Sequence, residues 1–449
     1  MEETKKKNII LSNAFFIILL VSYGYVVTML SQLAIYGEGE TNGFAFFVYS
    51  FAIVIGALLF ALVGTFFQSN IVRRASLFIA DMIFLVIMAL SFFKVIEFQK
   101  FYVIVALCAG YVGGFVYYLA MAEMGKMKHG SFVTLIGVAM TFVLQLSAEF
   151  LQIPITPGTV LCFVFFLMVC AFCMDHYVSS FFEEILPFSD NNEKEKELSE
   201  RRVQRLVGTA FLMIVAIGVA EASWTNYNAE VFVTYGWTMM SMVVAMILVG
   251  YVADRFGVLA LEKLVILSLI FSFVATYRPE YIVIRLLLFF FCEGVISAYL
   301  MLGFWLVAPA TKHPYIWASG GNFVKAFQIL FLMVVHDFSP AAMFGLTFAQ
   351  ATAIALLFWV FYNKPQEVYP EPEKGDVFGT FCDKYHFTPR ERDVMQAIIS
   401  SEDTAKALCI DLDISERMFY RYIRQMCDKV GSVDNRNGLV KKYLTFTEK

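Results

Sequence analysis

Gly250-Tyr251-Val252-Ala253-Asp254-Arg255-Phe256-Gly257 places two charged side chains between apolar runs at about 235 to 253 and 258 to 276. Each run is close to the roughly 20 residues that cross a hydrocarbon core about 30 Å thick. The glycines at either end permit a tight turn and close helix approach. Asp254 is placed to accept hydrogen bonds from a neighbouring helix N-terminus, and Arg255 to face phosphate head groups or an acidic partner. The octapeptide reads as a polar turn joining two membrane spans.

The rest of the chain extends that reading in both directions. Of its 449 residues 59% are hydrophobic and 16% charged, against a usual charged share of roughly 25%, and the mean hydropathy is +0.68. This excludes a string of soluble domains. Besides the two runs above, apolar stretches lie at about 8 to 35, 44 to 67, 75 to 93, 101 to 124, 130 to 151, 158 to 174, 205 to 225, 281 to 308, 314 to 335 and 340 to 362, which predicts an all-α bundle of twelve spans. The first run is too long for a signal-peptide core and has no small-residue cleavage site, so it is expected to stay as a span.

Loop charges orient the bundle, because Lys and Arg gather on the cytoplasmic side. With the N-terminus inside, the inner loops hold Lys5 to Lys7, Arg73, Arg74, Lys126, Lys128, Lys194, Lys196, Arg201, Arg202, Arg205, Arg255 and Lys312, and the outer loops only Lys94, Lys100 and Arg278. Both termini are then expected in the cytoplasm. A polar, charge-dense loop at 175 to 204 separates halves at 1 to 174 and 205 to 362. A linker at 363 to 384 opens with Pro365, Pro370, Pro372 and Gly375 and leads to a charged segment at 385 to 449 of ordinary soluble composition.

Two halves of six helices joined by a long cytoplasmic loop resemble the major facilitator architecture. Gly250, Asp254, Arg255 and Gly257 match that family's G-x-x-x-D-R-x-G turn between the second and third helix of a half. The first half departs from it, reading Gly64-Thr65-Phe66-Phe67-Gln68-Ser69-Asn70-Ile71, with Gln68-Ser69 where the Asp-Arg pair belongs. The resemblance implies a role for this turn in gating alternating access.

Ionisable residues inside spans are costly in hydrocarbon and face a bundle interior or a water-filled cavity. They are Asp81, Glu149, Glu221, Arg285, Glu293 and Lys325, with Glu123 near a helix end. Counting 1.5 Å per residue from the span ends puts Glu293 and Lys325 near the midplane and Glu149, Glu221 and Arg285 in the outer third. A Glu293 to Lys325 ion pair and a Glu221 to Arg285 pair are thus possible, either as helix locks or as the walls of an outward pocket with Tyr23, Trp224 and Tyr227. Such a pocket suits a small ligand at the interface between the halves.

In the tail, Phe387-Thr388-Pro389-Arg390-Glu391-Arg392 predicts a helix with Thr388 as cap and Pro389 as its first residue. A second helix is expected from Thr404 to about Asp411, and a third from Ser415, its cap, to Gly431, its terminator. In the third, Phe419, Ile423, Met426 and Val430 form an inward stripe, while Arg417, Tyr420, Arg421 and Arg424 point away from it. Residues 376 to 413 hold four Lys or Arg against eight Asp or Glu, whereas 414 to 442 hold seven against three. A near-neutral chain of net charge −4 thus conceals a basic face.

The tail resembles the LuxR-type DNA-binding domain through Thr388-Pro389-Arg390-Glu391-Arg392 with Val394, Ile414-Ser415-Glu416-Arg417, Lys429-Val430-Gly431, and Arg436 with Leu439-Val440. It departs at Glu402 and Asp413, where the family has glycines, and at Met418, Phe419, Tyr420 and Tyr422. The resemblance implies a helix-turn-helix that reads promoter DNA with Ser415, Arg417, Tyr420, Arg421 and Arg424. Lys406 and Lys429 read as phosphate clamps, and the resemblance implies a dimer formed through the helix around Arg436 to Phe446.

Together these parts resemble bacterial membrane-bound LuxR-type regulators, which implies an inner-membrane sensor whose small-molecule ligand controls a DNA-binding tail. The alternative is a transporter with a regulatory tail. No P-loop, phosphoacceptor or catalytic constellation stands in the sequence, and Cys170 and Cys173 lie inside an apolar run without a histidine pair. No enzymatic role, cofactor, metal or disulfide is expected.

Overall fold

The computed structural model describes every residue except 1, 37–42, 67–69, 125, 126, 128, 152–155, 166–192, 226–235, 277–280, 336–339, 364–376, 386, 401–404, 406, 407, 410, 411, 413, 432–434, 448 and 449. Tyr227, Lys406, the Gln68-Ser69 pair and the Cys170 to Cys173 motif therefore lie outside the described residues. The chain divides into two compact units, Met1–Pro370 and Glu371–Lys449.

Among the described residues the regular structure of the first unit is all helical, as lipid requires of a spanning backbone that must satisfy its own polar groups. Its helices are α1 (Glu2–Tyr36), α2 (Gly43–Phe66), α3 (Asn70–Phe92), α4 (Phe98–Met124), α5 (Gly130–Phe150) and α6 at 157–165, then α7 (Glu193–Thr225), α8 (Met240–Phe256), α9 (Val258–Thr276) and α10 (Ile282–Val307), and finally α11 (Pro314–Ala318), α12 (Gly320–Val335) and α13 (Pro340–Asn363). Among the described residues nine helices are long and apolar enough to cross a membrane. The chain is a multi-pass membrane protein. Of the twelve expected spans, the other three are α6, whose run continues beyond the described residues, α9, and the run at 314 to 335.

That last run is not one helix. It breaks at Ser319, between α11 and α12, where Gly320 and Gly321 weaken helix propensity. The carbonyl of Ala318, left outside the helix ladder, accepts a hydrogen bond from Trp305 Nε1 of α10 at 3.1 Å. A second difference lies before the seventh span. The polar stretch expected to be loop up to 204 is helical from Glu193, so that α7 carries a charged extension. Alternating Glu193, Lys194, Glu195, Lys196 and Glu197 are strong helix formers.

Lipid exposure inverts the usual pattern. On α3, Phe78, Ile79, Met82, Ile83, Val86 and Leu90 face outward, whereas Phe84, Ile87 and Met88 are buried. The halves repeat the same packing. In the first, α2 packs on α4, α3 on α4, and α1 on both α4 and α5; in the second, α8 packs on α10, α9 on α10, and α7 on both α10 and α12. Between the halves the pairing is reciprocal, since α2 lies against α11 and α12 while α8 lies against α5. The second helix of each half thus meets the fifth of the other, which is a pseudo-twofold arrangement.

The second unit consists of α14 (Val377–Lys384), α15 (Pro389–Ser400), a turn of helix around Ala405, Leu408 and Cys409, α16 (Glu416–Val430) and α17 (Arg436–Thr447). Phe381, Val394, Met395, Ile398, Leu408 and Leu439 close around the buried stripe of α16, formed by Phe419, Ile423, Met426, Cys427 and Val430.

Candidate functional site

In the membrane unit a cavity of about 490 Å³ lies between the halves, walled by α1, α4 and α5 on one side and by α7, α8, α10 and α12 on the other. Its first-half wall carries Tyr23, Tyr117, Thr141 and Gln145, and its second-half wall Met242, Met246, Glu293, Asn322, Lys325 and Gln328. Tyr23 and Tyr117 meet edge to face at 6.0 Å.

Lys325 Nζ donates to Glu293 Oε1 at 2.9 Å and to Gln328 Oε1 at 3.3 Å, and Gln328 Nε2 donates to Glu221 Oε2 at 3.0 Å. Helix periodicity puts Lys325 and Gln328 on one face of α12, one turn apart. Lys325 thereby ties α12 to α10, and Gln328 ties it to α7. The structure brings Tyr23, Glu293 and Lys325 into the cavity wall and ties Glu221 to it through Gln328. Arg285 is buried on α10 outside the lining. Glu149 and Trp224 lie on α5 and α7, with side chains outside the described residues.

Beyond the cavity the two halves are held by contacts of different chemistry at pseudo-equivalent places. On one side Asp254 Oδ2 accepts the backbone N–H of Phe132, at the start of α5, at 2.9 Å. This is a carboxylate at a helix N-terminus, where the dipole favours it. Gly250 is required there, since a Cβ would stand 2.8 Å from Phe132 Cα. Arg255 is exposed, its Nη1 donating to Tyr251 Oη at 3.1 Å, and Gly257 ends α8 at φ 73°.

On the other side Gly64 plays the part of Gly250, a Cβ on it meeting Tyr315 Cδ1 at 2.7 Å. Tyr315 of α11 stacks on Tyr118 of α4 with centroids 4.4 Å apart and planes at 17°. The buried guanidinium of Arg73 lies 5.1 Å from the Tyr315 centroid and donates to the Gly64 carbonyl at 3.0 Å. Arg73 begins the helix after the turn that lacks Asp-Arg. Sequence reasoning named Arg73 only as a loop charge and did not single out Tyr118, Tyr315 or Gln328; of these, Gln328 had a signal, its i+3 spacing from Lys325.

In the second unit, Thr388 and Glu391 form a reciprocal capping box. Glu391 Oε2 accepts the Thr388 N–H at 2.6 Å, and Thr388 Oγ1 accepts the Glu391 N–H at 3.4 Å. Ser415 Oγ caps α16 by accepting the Met418 N–H at 3.3 Å. Glu391 is only 2% exposed and also accepts from Lys429 Nζ at 2.5 Å. Burial works to raise its pKa, but the bonds from Lys429 and Thr388 outweigh this and hold it below the ordinary carboxylate value. Lys429 is thus engaged internally, and a DNA phosphate would share it with Glu391.

Arg417, Tyr420, Arg421 and Arg424 are all exposed on one side of α16, opposite its buried stripe. Leu439, Val440, Tyr443 and Phe446 of α17 pack into the core of this unit. Phe381 of α14 lies 5.3 Å from both the Tyr443 and the Phe446 ring.

The internal repeat and the cavity at its interface define a two-halved helical membrane protein. No protein-family model matches the sequence, and no curated protein matches it. Among solved structures the chain is similar to the proton:xylose symporter XylE of the major facilitator superfamily, bound to 6-bromo-6-deoxy-D-glucose, at 13% identity and TM-score 0.49 over 80% of this chain and 96% of that one. It is also similar to the human organic anion transporter MFSD10 (TETRAN), at 16% identity and TM-score 0.48 over 79% of this chain and 98% of that one.

Proposed function

We propose that the chain is a membrane-embedded transcriptional regulator of the LuxR type. In this reading its major-facilitator-like unit, in a bacterial inner membrane, binds a small molecule in the central cavity, and its cytoplasmic C-terminal unit binds promoter DNA, two copies sharing a repeated site. The observation that carries the DNA-binding part is α16, which buries five apolar residues on one side and offers Arg417, Tyr420, Arg421 and Arg424 on the other. A capped helix with such a face fits the major groove, where Arg contacts guanine edges or phosphates. A ligand acts in this scheme only by binding one arrangement of the halves better than another.

A second reading, transport with a regulatory tail, is favoured by the cavity and by the closures around Asp254 and Tyr315, which are parts an alternating-access carrier needs. Transcript profiling separates the parts. In the proposed reading, deleting the gene and replacing it by an Arg421→Ala, Arg424→Ala form change the same transcripts. If deletion changes transcripts that the double substitution leaves untouched, the tail does not act by reading DNA. Accumulation of a candidate ligand in vesicles, abolished by Glu293→Gln, would establish transport instead of pure sensing.

A further inference from the structure

We propose that the cavity takes an uncharged aromatic molecule bearing a hydrogen-bond-accepting oxygen, which docks on Lys325. This rests on the reading of the cavity as a ligand site and adds the chemical class. Lys325 has three N–H donors, of which Glu293 and Gln328 take two. Its side chain remains 52% open where it lines the cavity, whereas Glu293 behind it is 12% open. One turn earlier on the same wall, the buried Asn322 Nδ2 has no hydrogen-bond partner among the described residues. At this wall the lysine donor is thus more open to the cavity than the Glu293 carboxylate.

Charge decides between the candidate head groups. Glu221, Glu293 and Lys325 carry a formal total of −1 with both carboxylates ionised and zero with one protonated, so the cluster offers no net positive charge to an anion. A cation could reach the Glu293 carboxylate only by displacing the Lys325 ammonium already paired with it. Both ions also lose hydration that this wall does not replace. A neutral carbonyl or hydroxyl oxygen accepts from Lys325 at no such cost. The body of the ligand follows from the remaining wall. Tyr23, Tyr117 and Phe142 offer ring faces and edges, and Met239, Met242 and Met246 add adaptable thioether contacts to an aromatic ring.

The test uses the full-length chain in nanodiscs and three probes with one ring body: 2-acetylnaphthalene, 2-naphthoate and protonated 2-(aminomethyl)naphthalene, titrated by calorimetry. The ketone is expected to bind at least about tenfold more tightly than either ion, the scale of one hydrogen bond from a charged donor. Lys325→Met should reduce that preference to under about threefold. Because this leaves Glu293 without its partner, Lys325→Met with Glu293→Gln serves as the charge-neutral control and should show the same loss. Tighter binding of the carboxylate or the amine, no binding by any probe, or a ketone preference that survives in both variants overturns the proposal. A ketone that binds as expected but leaves promoter output unchanged counts against the sensing role and not against the ligand class.

Discussion

Replacing Lys429 by Met leaves the Glu391 carboxylate in a protein interior with, among the described residues, its Thr388 contacts alone. Removing one member of a buried ion pair costs about 3–5 kcal/mol. Here the carboxylate side chain is 3% exposed but the lysine 33%, so solvent screens part of the interaction and roughly 2 kcal/mol is the appropriate scale. In a unit the size of Glu371–Lys449, that lowers the melting temperature by about 8–16 °C. Circular dichroism melts of the 371–449 fragment measure it. Glu391→Gln in the Lys429→Met background should recover at least about 1 kcal/mol, because it removes the uncompensated charge.

The pH dependence has a definite sign. Glu391 titrates below its ordinary 4.5 in the folded unit, so the stability it contributes is fully present above that value and is lost as pH falls through the lowered one. The gap between wild type and Lys429→Met should therefore be widest near neutrality and close in acid. A Lys429→Met fragment that melts within about 2 °C of wild type at pH 7 would refute the role given to this pair.

Three further outcomes follow from the packing. Gly250→Ala pushes a Cβ against the backbone of Phe132, which cannot yield as a side chain would, and should cost about 1–3 kcal/mol, read as a lower thermal midpoint of the purified membrane protein; an unchanged midpoint would show that α8 and α5 are not so closely apposed. Tyr315→Leu removes the stack on Tyr118 and the contact with Arg73, together about 1–3 kcal/mol, and hydrogen exchange across 314–319 should rise severalfold; unaltered protection would mean that these rings do not hold α11. Phe381→Ala empties the centre of the cluster with Tyr443 and Phe446 and should cost about 3–4 kcal/mol in the fragment, a loss that a melt within a few degrees of wild type would exclude.

Much of this architecture was legible because its signals are local. Hydropathy over about 20 residues marks a span, and Thr388 with Pro389 and Ser415 mark the starts of α15 and α16 from neighbouring residues. Glu293 and Lys325 were legible as a pair because ions at similar depth in hydrocarbon seek one another. What escaped was set by distant partners. The break at Ser319 depends on Trp305 of another helix satisfying the Ala318 carbonyl, and nothing within 314 to 335 except the Gly320–Gly321 pair hints at it. Arg73 reads in sequence as a solvated loop charge, yet Tyr315, more than 200 residues away, supplies the ring that buries it. Lys429 fits a phosphate contact by position, and only the folded unit brings Glu391 against it.

In the proposed reading, a chain fixed in the membrane holds DNA through α16. Crosslinking in intact cells, followed by membrane isolation, recovery of the full-length chain and sequencing of the attached DNA, addresses it directly. A small set of promoter fragments should be enriched with the wild-type chain and lost with Arg421→Ala plus Arg424→Ala, at equal amounts of protein in the membrane. Recovery of no enriched fragment with the wild type, or of the same fragments with both forms, would contradict it.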